Sequence, residues 1–356
     1  MLNTIEELFS YKPFELTQEQ KDTFLQKFYN NLTNFHYENS DEYRQILSIL
    51  TYDTKKEYKI AELPFLPVRL FKELELKSTQ DIFKTMSSSG TSSSNTSKIF
   101  LDKTTALNQT KVLTKIVNDF IGSKRLPMII LDTKSVLKNP KEFSARGSGI
   151  IGFSIFARDR IFAFDENMNL NIQAIEAFLE KHKGKEILLF GFTFMVWQYF
   201  YHTLKKSTTT LDLSNGILIH GGGWKKLIDS SVDDALFKSS LKEICGIKKV
   251  YNYYGMVEQT GSIFMQCDAG HFHTSIYSDI IIRDENFNIC NLNQEGMIQL
   301  ISTLPNSYPG HNILSEDIGK IIGVDDCPCG RKGKYFTIKG RIKKAQIRGC
   351  SDTFTS

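Results

Sequence analysis

Between Asp102 and Tyr253 short apolar runs alternate with amphipathic stretches, and that alternation leaves the chain few folds to choose from. Leu126-Pro-Met-Ile-Ile-Leu131, Glu186-Ile-Leu-Leu-Phe190, Gly216-Ile-Leu-Ile219 and Lys249-Val-Tyr-Asn-Tyr253 are too short for helices and are bounded like buried strands. Apolar residues at helical spacing fill the gaps: Leu113, Ile116, Val117, Phe120 and Ile121 behind a capping Asp102, then Ile172, Ile175, Phe178 and Leu179. Further helices run through Trp197 and Leu204 and from about Leu227 to Leu241. Strands alternating with helices predict an α/β fold with a mostly parallel sheet and helices on both faces.

The flanks differ in texture. The first 80 or so residues read as helical, with a Thr17/Gln20 capping-box signature and a stripe of Phe24, Leu25, Phe28, Leu32 and Phe35 that reads as core packing rather than as an acyl-binding wall. Beyond Gly261, short extended runs such as Ile280-Ile-Ile-Arg283 and Gly296-Met-Ile-Gln-Leu-Ile301 are separated by turn residues and predict an antiparallel β subdomain. Glu316-Asp317-Ile-Gly319 reads as a turn.

At 356 residues, 41% of them hydrophobic, the chain can bury the core of one large domain or two moderate ones. The net charge of +4 is spread among mixed charges, which argues against a nucleic-acid footprint or a polybasic membrane anchor. No signal peptide begins the chain, and no stretch approaches the roughly 20 apolar residues needed to span a bilayer, so a soluble cytoplasmic protein is expected. Six cysteines in a chain this long do not make a disulfide scaffold.

Several segments can carry chemistry. Seven serines and two threonines surround Gly90 between Ser87 and Lys98, and such a loop can wrap phosphates with backbone N–H groups and hydroxyls, or serve only as a flexible linker. His220-Gly-Gly-Gly-Trp224 follows a strand, where glycines let the backbone approach a flat ligand; a plain turn is the alternative. Tyr253-Tyr-Gly-Met-Val-Glu258 ends a strand with an aromatic ring suited to a purine and a carboxylate suited to Mg²⁺. Asp317 is suited to ribose hydroxyls. Cys267, His273, Cys327 and Cys329, with His271 as alternate, can form a tetrahedral Cys₃His site for structural Zn²⁺, or pack as reduced thiols.

Ser144-Ala-Arg-Gly147, His220-Gly-Gly-Gly-Trp-Lys225, Tyr254-Gly-Met-Val-Glu-Gln259, Cys327-Pro-Cys-Gly-Arg-Lys-Gly333 and Arg348-Gly-Cys-Ser-Asp-Thr353 together resemble the acyl-protein synthetase family of the LuxE type, long-chain-fatty-acid–protein ligases within the adenylate-forming superfamily. The resemblance covers roughly residue 80 to the C-terminus. It implies the large domain of an adenylate-forming enzyme without the small C-terminal domain, divided as an N-terminal helical region at 1–80, a nucleotide-binding core at 81–260, a β-rich subdomain with the Cys/His cluster at 261–338, and a hinge-like tail carrying Cys350 at 339–356.

By the same resemblance Ser88, Ser89, Gly90, Thr91 and Lys98 hold the phosphates of ATP, while Gly221, Gly222, Gly223, Tyr253, Tyr254 and Gly255 border the nucleotide. Glu258 holds Mg²⁺, and Asp317 and Arg341 face the ribose. Val257 stands where the superfamily carries threonine, and Lys343-Lys344 where it carries an acidic hinge; the expected lack of the small domain with its adenylation lysine leaves Lys98 or a tail lysine as the candidate catalytic cation. The expected reaction converts a fatty acid and ATP to acyl-AMP and passes the acyl group to Cys350 as a thioester. The expected partners are an acyl-protein reductase of the LuxC type and an acyl-transferase or thioesterase. An acyl-CoA or aryl-CoA ligase relative, or a catalytically silent partner protein, stands as the alternative, and Cys350 could be a bystander thiol.

Overall fold

A computed structural model of the chain describes residues 4–88, 96–137, 145–224 and 231–342. These fall into two compact units, one of residues 121–137, 145–224 and 231–254, the other of residues 4–88, 96–120 and 255–342.

In the first unit five parallel strands lie side by side in the order Ala157–Phe164, Leu126–Thr133, Ile187–Phe192, Gly216–Gly221, Lys249–Tyr254. The three central strands are buried along their whole length, which is why they read as unbroken apolar runs. The strand Ala157–Phe164 is apolar only in its second half, because it lies at the sheet edge, where Arg158 and Arg160 face solvent in alternation with half-buried positions. Helices Ile172–Lys181 and Asp234–Cys245 begin where the side chains of Asn171 and Asp233 accept the N–H of Ala174 at 3.0 Å and of Leu236 at 2.7 Å. The helical stretch from Thr193 to Lys206 contains a π-helical segment, Val196–Tyr201.

The second unit is built on an antiparallel sheet in the order Phe272–His273, Lys334–Arg341, Asn312–Val324, Gly296–Ser302, Ser278–Arg283, with Leu66–Pro67 paired in parallel to Asn312–Val324. Glu316-Asp317-Ile-Gly319 is therefore not a turn. It lies inside the long strand Asn312–Val324, paired on both sides, and backbone pairing outweighs the turn propensity of its Asp and Gly.

Helix Gln18–Asn39 starts with the expected capping box: the Thr17 hydroxyl accepts from Gln20 N, and the Gln20 side chain accepts from Thr17 N at 2.9 Å. Its buried face differs from the phenylalanine stripe. Leu25, Tyr29, Leu32 and His36 are buried, Phe24 and Phe28 are half-buried and Phe35 is exposed, because the helix also sinks Lys21 and Asn30 against polar partners on this unit's sheet and loops. Leu25 and Tyr29 pack on Leu63, Ile281 and Ile301. Lys21 Nζ reaches Thr274 Oγ1 at 2.9 Å and Asp279 at 3.5 Å, and Asp279 also receives Lys334 Nζ at 3.0 Å and Gln18 Nε2 at 2.9 Å. Among the described residues no helix is long and apolar enough to cross a membrane.

Candidate functional site

Glu258 sits in a short 3₁₀ turn, Val257–Gln259, and is buried. Its backbone oxygen accepts the Tyr308 hydroxyl at 2.8 Å. The Gln259 side chain donates to the carbonyls of Leu300 at 3.0 Å and Gly310 at 2.9 Å, so the turn is fastened to the strand Gly296–Ser302 and to the loop that follows it. Gly310 is required by close approach: a Cβ there would lie 2.2 Å from the Tyr308 ring and 2.9 Å from the Glu258 oxygen. Burial raises the pKa of the Glu258 carboxyl, opposed by the Ser97 hydroxyl and the charges of Lys72 and Arg341. Ser97 and Lys72 were not singled out by sequence reasoning. No motif marks them, since their link to Glu258 is made by folding alone.

The hairpin of Lys84–Ser87 and Lys98–Leu101 is closed at its base by Ser88 N donating to Ser97 O at 3.0 Å and Ser97 N donating to Ser88 Oγ at 2.9 Å. Ser89, Gly90 and Thr91 lie outside the described residues, as does Cys350. Lys98 opens the second strand of the hairpin, and its Nζ is 3.2 Å from Glu75. Asp317 and Arg341 are register partners on neighbouring strands, with Arg341 Nε donating to Asp317 at 3.3 Å. Glu316, beside them, pairs with Arg69.

In the parallel-sheet unit, Gly221 and Tyr253 are register partners at the carboxyl ends of adjacent strands. Only glycine fits at 221, because a Cβ would lie 2.3 Å from the Tyr253 ring. The Tyr253 ring also packs 5.0 Å from Phe153 and 6.3 Å from Phe190. Gly222 follows at the strand end, and beside Gly223 the space is open. His220 is buried, with Nδ1 2.9 Å from Thr193 Oγ1 and its ring against Phe237; burial lowers its pKa to about 3 and keeps it neutral. Tyr254 and Gly255 follow Tyr253, the one half-buried and the other exposed.

The folded chain gathers Cys267, His273, Cys327 and Cys329, whose ligand atoms lie within 4.8 Å of one another. Tetrahedral zinc with bonds of about 2.3 Å to sulfur needs sulfurs about 3.8 Å apart. Cys267 and Cys327 Sγ are 3.8 Å apart and Cys329 Sγ is 3.3 Å from His273 Nε2, so the donor set fits such an ion. His271 Nδ1 approaches Cys327 Sγ at 3.7 Å but stands outside the four-residue group. Burial pushes the Cys327 thiol up to about 12 and lowers His273 to about 3; for Cys329 burial is outweighed by the Arg331 N–H and the neighbouring thiols, and its pKa falls.

Residues 3–356 match the family model described as "Acyl-protein synthetase, LuxE". No curated protein matches the sequence. Among solved structures, the open conformation of 2-hydroxyisobutyryl-CoA ligase in complex with 2-HIB-AMP and CoA is similar at a TM-score of 0.70 and 12% identity, over 94% of this chain and 72% of that one. The same ligase in its postadenylation state with 2-HIB-AMP gives 0.70 and 13%, over 93% and 70%. At such identities the likeness is one of fold, and the fold is that of the adenylate-forming enzymes.

Proposed function

The chain belongs to the acyl-protein synthetase family, LuxE, and on that premise we propose that it activates a fatty acid with ATP and transfers the acyl group to its own Cys350. The observation that carries this reading is the family match over nearly the entire chain; the adenylate-forming fold and the held position of Glu258 support it.

The chemistry is a two-step acyl transfer. A carboxylate oxygen of the acid attacks the α-phosphate, the bond between the α- and β-phosphates breaks, and pyrophosphate leaves with the electron pair. The Cys350 thiolate then attacks the acyl carbonyl and AMP departs, leaving a thioester for an acyl-protein reductase to collect. Glu258 would hold Mg²⁺, which suits a site offering one carboxylate beside substrate phosphates; the ion, when bound, supplies charge neutralisation at those phosphates. Tyr308 and Gln259 fix the backbone of the Glu258 turn, and Lys98 with the hairpin serines faces the phosphate chain. Gly221, Gly222, Gly223, Tyr253, Tyr254 and Gly255 border the nucleotide, and Asp317 with Arg341 faces the ribose. Structural Zn²⁺ would be held by Cys267, His273, Cys327 and Cys329.

The test is incubation of wild type and Cys350→Ser with tritiated fatty acid, ATP and Mg²⁺. Both proteins are expected to form acyl-AMP, and wild type alone to carry hydroxylamine-labile label. Acyl-AMP without protein label in either would move the acceptor elsewhere, to a soluble thiol such as CoA; no acyl-AMP in either would sink the ligase reading.

A further inference from the structure

Between the short helix Ile5–Leu8 and helix Gln18–Asn39 the chain forms neither helix nor strand, so residues 9–17 depend on contacts with other segments of their unit. At one end the Phe9 ring rests against Tyr277 and Lys111. The anchors that follow stand beside the Cys/His cluster. Pro13 O accepts Ile276 N at 2.8 Å and Phe14 O accepts Lys332 N at 3.0 Å, each donor three residues beyond a candidate metal ligand, His273 or Cys329. Gln18 N donates to the Asp325 carboxylate at 3.0 Å, two residues ahead of Cys327. The buried Phe14 ring meets the His273 ring edge-on, their centroids 6.1 Å apart. Arg331 lies over Phe14 at 5.5 Å while pairing with Asp119 at 2.7 Å.

We propose that the cluster is a clasp for the N-terminal segment: a zinc ion bound there holds residues 12–18 docked, and loss of the ion releases them while the sheet of the unit stays folded. The inference rests on the zinc reading above and adds to it what the ion controls. Residues 325–333 join the strands Asn312–Val324 and Lys334–Arg341 without regular structure. That loop is closed at its base by Asp325 N donating to Gly333 O at 3.0 Å and at its tip by Gly330 N donating to Cys327 O at 2.9 Å. Neither bond ties the tip to the strand Phe272–His273. An ion shared by Cys327, Cys329, Cys267 and His273 makes that tie, and it thereby sets the spacing between Ile276 N, Lys332 N and the His273 ring, on which Pro13 and Phe14 sit. The sheet does not depend on the ion in the same way, since its strands are joined by their own backbone ladders.

Docking and metal binding must then favour one another by the same factor, which supplies the test. Hydrogen exchange of the full chain is followed by mass spectrometry, zinc-loaded and chelator-stripped, both under a phosphine reductant that keeps the thiols reduced. Exchange in residues 12–18 and 325–333 is expected to accelerate about tenfold or more on stripping, and exchange in Gly296–Ser302 to stay as it was. Zinc affinity, measured by competition with a chromogenic chelator, is expected to weaken about tenfold in Phe14→Ala, which removes no donor atom, and to recover in Phe14→Leu. Zinc bound with unchanged exchange in residues 12–18 overturns the proposal, as does acceleration spread evenly over the unit, which would make the ion a support of the whole sheet. Equal zinc affinity in wild type and Phe14→Ala overturns it too. Failure of the wild type to bind zinc at all would instead remove the zinc reading, and the clasp with it.

Discussion

A carboxylate at Glu258 is held where its own ionisation is costly. Burial places its pKa above the ordinary 4.5, so between that value and the raised one the native state binds a proton that the unfolded chain has already lost. Stability contributed by this residue therefore falls as pH rises through that window. Glu258→Gln is expected to melt higher than wild type at pH 7 to 8 while losing acid-dependent ATP–pyrophosphate exchange by a factor of about 100. A variant that melts lower, or that keeps its exchange rate, would contradict the assignment. Glu258 can be singled out as a candidate from the sequence, because the Tyr254-to-Glu258 spacing is local. Tyr308 cannot, since it reaches Glu258 only through a tertiary contact that leaves no periodicity or motif.

Elements were legible in proportion to how uniformly they are buried. The central parallel strands and the capping box at Thr17 stood out, whereas Ala157–Phe164 and Asn312–Val324 escaped notice because charged and glycine residues interrupt them. The Cys/His cluster was legible as residues but not as geometry, since its two halves, Cys267 with His273 and Cys327 with Cys329, come from distant segments joined by the sheet. A chain purified with its metal is expected to carry one zinc per molecule by atomic emission. Chelation is expected to lower the melting temperature by about 1 to 2 °C for each kcal/mol the ion contributes. No metal, or no thermal shift on chelation, would leave the four residues as packed thiols and a histidine. Helix Gln18–Asn39 is stapled to the sheet through Lys21 and Asp279, both nearly inaccessible. Lys21→Ala would leave Asp279 paired with Lys334, whereas removing Asp279 strands the buried Lys21 ammonium, so Asp279→Ala is expected to cost about 3 to 5 kcal/mol in urea unfolding.

The molecule as a whole buries several histidines in their neutral form. His36 and His311 stack at 4.9 Å; burial lowers His36 to about 3 and His311 well below its ordinary 6.5, as it lowers His220 to about 3. The unfolded chain therefore binds more protons than the native one below pH 6.5, and stability declines as pH falls from there. Each such histidine adds up to about 1.4 kcal/mol per pH unit to the slope. Urea unfolding of wild type from pH 8 to 5 is expected to show this loss, with a shallower slope in His311→Gln; identical slopes would exclude the buried pair as its origin. The Cys267 and Cys327 sulfurs, 3.8 Å apart, bear on the molecule in another way. Without a bound ion the pair needs only a modest shift for covalent closure, so aeration would make a cross-link that added zinc cannot undo. A metal held there would also act as a protecting group, and the history of a sample in air would decide whether its loss could be repaired.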